Sequence, residues 1–558
     1  MAYAGLLQER RRALHARIVE AIEALPAERV SEQVERLANH AFRGEVWEKA
    51  VRYLRLAGAR ALACSANQDA VTCFEQALAA LQHLPENHER LEQAIDLRFE
   101  LLTPVLQLGR LPDVQSLSQD AETMAQRLGD PQRLARVFAF RINYHYLKGE
   151  PDLSVAFGER CLRVVEAGGD PALRALARRY MGHCYHAQGQ YRQAESILQQ
   201  NVEMIDVSKG EDRAGQDALS YVASCGWLAF TMAELGEFDK AHAYADKALR
   251  AAETSKHAYA DAIARTLAAL VWIRRGQPRR AVQPLERSLQ ACAENYLALW
   301  RPVASSLLGL ALTFLGPADE ALHFLQDGVT LTEELGVKAY LALWTTQLAE
   351  GLLAVGQTER ALATAQQALA LALAHKERGH QAWALRLLGD IASQGGSGQY
   401  EQAEDLYRQA LALAAELGMR PVLALSHLGL GKVYRRAGER TKAEEHLGAA
   451  FSSCLEMKMR LWMVRALEEL KELGDLFIVE AHHPNMYDYL KQEFPEAGPI
   501  QVILDRRRGQ QREALQVGDV VWPGPERRRR SGVHADLCLR GFVVTSKELR
   551  EPVAGSTG

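Results

Sequence analysis

Leu430-Gly-Lys-Val-Tyr434-Arg-Arg-Ala-Gly438-Glu-Arg-Thr-Lys-Ala443-Glu-Glu-His-Leu447-Gly-Ala-Ala450 is the stretch on which the fold turns. Apolar residues recur at helical spacing up to Tyr434, Gly438 interrupts them, and a second helical run follows with small residues at 443 and 450. Glycine enters the left-handed conformation that ends a helix without a Cβ penalty. The stretch therefore predicts a helical hairpin with its turn at Gly438.

The same punctuation recurs upstream. Gly109, Gly149, Gly189, Gly236, Gly276, Gly316, Gly356, Gly398 and Gly438 follow one another at intervals of 40, 40, 47, 40, 40, 40, 42 and 40 residues. A small residue stands five places later in most units, as at Ser154, Ala194, Ala241, Ala281, Ala321, Ala361, Ala403 and Ala443. Another follows seven places on in nearly all: Cys161, Ala248, Ser288, Gly328, Ala368, Ala410 and Ala450. Small residues at fixed points let helices approach closely. One hairpin cannot bury both of its faces, but a stack of hairpins can, so the register predicts an all-α solenoid. In such a stack each repeat touches only its neighbours, and damage at one alanine is expected to spread no further than adjacent repeats.

Met181-Gly-His-Cys-Tyr185 … Gly189-Gln-Tyr191 … Ala194, together with Leu430 … Ala450, resembles the tetratricopeptide repeat (TPR), although the usual tryptophan of the first helix is mostly missing. The period near 40 exceeds the standard 34 and is similar to the longer MalT-like repeats that end bacterial signal-transduction ATPases. The resemblance implies a right-handed superhelix of hairpins. Upstream, Ala70-Val-Thr-Cys-Phe74-Glu-Gln-Ala77 reads as the second helix of a degenerate unit, and Trp47-Glu-Lys-Ala50-Val-Arg-Tyr-Leu54 as another. Tyr3 to His15 resembles the junction that follows the ATPase module in bacterial proteins joining a class III adenylate or guanylate cyclase, an AAA/STAND ATPase and a repeat tail. That resemblance implies a junction at 1–44, a TPR solenoid at 45–474, and a start at Met1 that is internal or truncated.

Beyond Gly474 the helical pattern stops. Leu476-Phe-Ile-Val479 and Ile500-Gln-Val-Ile-Leu504 read as strands, Asn485–Phe494 between them as a helix, and Arg540–Val544 as a third strand. Strand, helix, strand predicts a parallel βαβ unit, so 475–550 is expected to be a small α/β domain and 551–558 a disordered tail. Residues 505–530 hold eight arginines against four acids and read as a loop in which Arg506, Arg507, Arg508 and Arg512 are candidates for binding an anion.

Among 558 residues, 66 lysines and arginines face 70 acids, a net formal charge of −4 that argues against a nucleic-acid partner. The eight cysteines are scattered without a CxxC pair, as in a reduced cytoplasmic protein. The apolar run at 368–374 falls far short of a membrane span. Gly429-Leu-Gly-Lys432-Val lacks the first glycine and the hydroxyl residue of a phosphate-binding loop and falls inside a repeat helix. His183 and His186, three apart, have no third ligand near them in sequence, so no metal site is called. No catalytic motif and no cofactor is implied, and nothing dictates an oligomeric state.

Function is then expected on the concave wall formed by the first helix of each hairpin. Its inward positions in the register are Asn143, Tyr146, Arg179, His183, His186, Phe230, Thr346, Glu350, Arg386, Asp390, Lys432 and Arg435. A groove of that composition suits a peptide, a protein loop or a small effector. The expected function is a non-catalytic interaction module, the sensing tail of a cyclase–ATPase signalling protein. The alternatives are a stand-alone scaffold and a fragment of an ATP-binding adenylate cyclase whose catalytic domains lie upstream.

Overall fold

Why the turn glycines recur is visible in their backbone. Eight of the nine have positive φ, from +69° at Gly149 to +112° at Gly316. At Gly438 the turn closes with Glu439 N donating to Tyr434 O at 2.9 Å and Gly438 N to Arg435 O at 3.2 Å, the pattern that satisfies the last carbonyls of a helix. The exception is Gly398. It lies in the 3-10 turn Ser397–Gln399, and the unit carrying it has two extra residues that take up the reversal another way.

The structure is a computed structural model that describes residues 8–64, 66–167, 170–205, 214–316, 318–395, 397–473 and five short strands beyond. Among these residues there are twenty-four α-helices. Nine hairpins follow the 40-residue register from the helix His88–Gln107 through Arg440–Glu456, and Arg460–Lys471 closes the array. The small residues of the register are core: Ala241, Ala281, Ala361, Ala403 and Ala443 are 2% exposed or less. Within the first helices, glycine admits a leucine from the second. A Cβ at Gly431 would stand 2.5 Å from Leu447 Cγ, and one at Gly182 2.5 Å from Leu198 Cγ. Trp47–Ala63, expected as the second helix of its own unit, packs against the preceding helix Val34–Arg43 and also against the following helix Asn67–Leu81.

The hairpins do not stack as an open spiral. After about five of them the coil comes round onto itself. Leu147 O accepts from Lys338 N at 2.7 Å, Gln107 O from Ala298 N at 3.1 Å, and Gly149 O lies 3.2 Å from His375 Nδ1. Asp152 pairs with Lys376, and Asp239 with Lys458 at 2.9 Å. A Cβ at Gly276 would lie 2.9 Å from Leu461 Cβ, so some turn glycines also permit one turn of the coil to rest on the next. The nearest-neighbour expectation is thereby corrected: contacts join residues about 190 to 230 positions apart.

The inter-turn contact has a charged centre. Glu234, 2% exposed, accepts from Arg274 Nε at 2.9 Å and from Trp383 Nε1 of the next turn at 2.8 Å, while the Arg274 guanidinium lies 3.9 Å from the Trp383 ring centroid. A buried ion pair needs such extra partners to offset its desolvation.

The strands are β1 (Leu476–Glu480), β2 (Gln501–Asp505), β3 (Leu515–Val517), β4 (Val520–Trp522) and β5 (Phe542–Thr545). β1 pairs in parallel with β2, Leu476 opposite Gln501, and antiparallel with β5; β3 pairs antiparallel with β4. The parallel pair has the sense a βαβ unit requires. The β3–β4 ladder lies inside the stretch read as a loop, and the valines at 517, 520 and 521 carry the β-branched character for it. The expected helix 485–494 and Arg506, Arg507, Arg508 and Arg512 lie outside the described residues.

Candidate functional site

Because the coil closes, its axis holds a cavity of about 600 Å³. The walls are the first helices of five consecutive hairpins, 88–107, 131–147, 171–187, 214–234 and 258–274, with the start of 301–315. The floor comes from the next turn of the coil, with Leu335, Val337 and Tyr340 of a loop and Trp344 of the helix Leu341–Ala354 lining it. At the rim, Gln132 and Asp170 are exposed at the N-terminal ends of their helices. Depth therefore increases along each wall helix toward its C-terminus.

The floor is aromatic. The Trp227 ring lies 4.3 Å from His183, 5.4 Å from Tyr340, 5.9 Å from Phe230 and 6.4 Å from Tyr146, centroid to centroid. Tyr340 is held at φ +63°, its backbone N–H donating to Glu377 Oε1 at 2.8 Å. This left-handed tyrosine is strained, and its fixed ring closes the lower end of the cavity.

Above the floor the polar groups divide into paired and unpaired. At the rim Arg133 bridges Asp96, at 3.1 and 3.0 Å, and Asp130 at 2.7 Å; Asp130 also caps its helix through Gln132 N and Arg133 N. Asp170 caps the next helix at Ala172 N, 2.9 Å away. Arg136, whose guanidinium lies 4.6 Å from the Phe99 centroid, has no carboxylate within ion-pair distance among the described residues; burial draws its pKa below the ordinary value, offset in part by Asp96, Glu100 and Asp170. Among the described residues Arg179, 7% exposed, has only Ser220 Oγ at 3.5 Å and the Tyr180 ring, and its Nε has no partner. One helical turn deeper the His183 Nε2 is also unpartnered. Burial, then Arg179 and His186, lower the His183 pKa well below the usual imidazole value, so the ring is neutral at pH 7.

Of the positions expected on the concave wall, Asn143, Tyr146, Arg179, His183 and Phe230 border this cavity. His186 lies behind it, with Nδ1 2.9 Å from Thr231 Oγ1 and its ring 4.1 Å from Phe230. The remaining positions are engaged within the protein. Thr346 donates to Ala342 O at 2.7 Å, Arg386 is 4% exposed between Asp390 at 2.6 Å and Glu350 at 3.5 Å, and Lys432 and Arg435 reach Glu469 at 3.8 and 2.8 Å. Beside Glu350 and Arg386 the remaining gap measures about 20 Å³, room for about one water. The wall is thus not one continuous groove: at Glu350 and Arg386 only this small gap remains. Sequence reading missed Arg136, Trp227, Trp300 and the Tyr340 floor; Trp227 had a signal, a tryptophan one turn before the expected inward position Phe230.

Among the described residues no three potential ligands gather for a metal ion, and no helix is long and apolar enough to cross a membrane. No curated protein matches the chain. Solved structures similar to it include a Rap protein complexed with competence and sporulation factor, 14% identical over 62% of this chain and 99% of that one, with a TM-score of 0.42. The apo quorum sensor NprR from B. thuringiensis is 14% identical over 66% and 99%, with a TM-score of 0.41. A signal-transduction ATPase with a tetratricopeptide-repeat sensor from Pyrococcus horikoshii is 16% identical over 70% of this chain and 55% of that one, with a TM-score of 0.38. The tetratricopeptide-repeat family model matches residues 380–455, the two hairpins that include the stretch from which the fold was read.

Proposed function

We propose that the chain is a non-catalytic regulatory module that binds a peptide or small effector inside the first turn of its coil and passes occupancy to a protein partner. The observation that carries this reading is the roughly 600 Å³ cavity, within the size range of ligand sites, into which buried polar groups without partners project from an aromatic wall. A structural core would have filled that volume. The floor belongs to a later turn of the coil, so occupancy would bear directly on how the two turns pack. The resemblance of the repeats and of Tyr3–His15 to cyclase–ATPase proteins favours a sensing tail acting on catalytic modules of the same system. A stand-alone scaffold needs no such cavity.

Filling the cavity tests the proposal. Ala223, 3% exposed on the wall, replaced as Ala223→Trp, occupies the space while the outer surface is unchanged. The wild-type chain is expected to rise in Tm with the low-molecular-mass fraction of a cell lysate, and the folded variant is expected not to respond. Equal responses, or none from the wild type, would count against the cavity as the site.

A further inference from the structure

Arg179 is a buried charge with no counterion among the described residues. Water-exposed guanidinium groups need none, but this one is 7% exposed, with Nε unpartnered and one long contact to Ser220. Leaving a buried cation uncompensated is costly, and Arg179 lines the cavity, a volume large enough to bring an anion to it. His183, one turn deeper on the same helix, offers a second unpartnered nitrogen. Below both lies the aromatic floor.

We propose that the cavity takes an effector bearing a single carboxylate on an apolar, ring-containing body, with the carboxylate on Arg179 and the body against Trp227 and Tyr340. This rests on the reading of the cavity as an effector site and names the chemistry that site selects. A planar guanidinium matches a carboxylate through paired N–H donors. The neutral His183 ring can add one hydrogen bond, and the aromatic floor supplies apolar contact without polar competitors. A cationic effector is disfavoured because the rim acids are already engaged: Asp96 and Asp130 by Arg133, and Asp170 by the helix start at Ala172. A phosphate dianion would need a second cation at the same depth, and Arg136 lies nearer the rim, against Phe99.

Calorimetric titration of the full chain with 1-naphthaleneacetate, 1-naphthaleneacetamide, 1-naphthyl phosphate and 1-naphthylmethylamine separates these classes. The acetate is expected to bind at least about tenfold more tightly than its amide, as a charge-assisted pair implies, with phosphate and amine weaker than the acetate. Arg179→Met should erase the acetate–amide difference and leave amide binding in place, whereas Arg435→Met, outside the cavity, should change neither. Acetate and amide binding equally to the wild type would overturn the carboxylate anchor while leaving the cavity as a site. Tighter binding of the phosphate or the amine would overturn the chosen class. Failure of all four would remove the effector site itself. The wild-type comparison decides the matter even if Arg179→Met does not fold.

Discussion

Removing the Glu234 carboxylate should reveal the coil's closure as a loss of stability felt on both sides of the contact. Glu234 and Arg274 are 2% and 8% exposed as side chains and 2.9 Å apart, and Trp383 joins them from 149 positions further along. Glu234→Ala strands Arg274 in a low-dielectric site, a change that costs about 3–5 kcal/mol when one member of a buried pair is lost. Trp383→Phe keeps a ring beneath the guanidinium and loses only the indole donor, so it should cost about 1.5–3 kcal/mol, the range for a hydrogen bond to a charged group. The pair Glu234→Gln with Arg274→Met removes the stranded charge and should recover much of the Glu234→Ala loss. Urea unfolding gives the magnitudes, and hydrogen exchange gives the location. In Glu234→Ala, protection should fall together in 214–274 and in 378–392. Loss confined to 214–274 and its sequence neighbours would refute the argument and restore the nearest-neighbour solenoid.

Gly276 and Gly438 offer a matched comparison, at φ +84° and +77°. Both alanine variants should lose about 1–2 kcal/mol from the left-handed backbone, measured by urea unfolding. Gly276→Ala should lose more, because its Cβ meets Leu461 whereas nothing lies within 4 Å at Gly438. Overpacking at fully buried Ala443, as Ala443→Leu, should cost about 1–3 kcal/mol by the same assay. His183 and His186, lowered well below the usual imidazole value chiefly by burial, remain neutral in the folded chain while the unfolded chain takes up protons below about pH 6.5. Stability should therefore be fully present above that pH and decline as pH falls below it, by up to about 1.4 kcal/mol per pH unit for each ring. His15, His40, His242 and His257 are lowered in the same direction, so equilibrium unfolding at stepped pH should show the slope reduced, not abolished, in His186→Gln.

The hairpins were legible because they are local. Gly438, Ala443 and Ala450 write turn and close contact into a window shorter than one repeat, and the 40-residue interval multiplies the signal. The inner face was legible as positions, since a helix register states which residues share a side. What that side meets was not legible. Lys338 against Leu147, or Trp383 against Glu234, joins segments 149 to 191 residues apart with no pattern to announce the pairing. His183 and Arg386 read as solvated groove residues by type, yet stacked turns bury them at 7% and 4% exposure. Arg136 was missed because arginine near a helix start reads as surface. Gly398 looked like its eight counterparts until two extra residues gave its turn another route.

Zero-length carbodiimide coupling of the wild-type monomer tests the closed coil most directly, because it joins a carboxylate to an amine only when the two are in contact. Asp152 with Lys376 and Asp239 with Lys458 are exposed ion pairs between successive turns of the coil. Glu237 with Lys240 and Glu439 with Lys442 are pairs within one hairpin that serve as internal controls. Closure predicts that mass spectrometry of the monomer fraction recovers all four links. Recovery of the two local links without either long-range one would contradict the closed coil and the cavity it encloses.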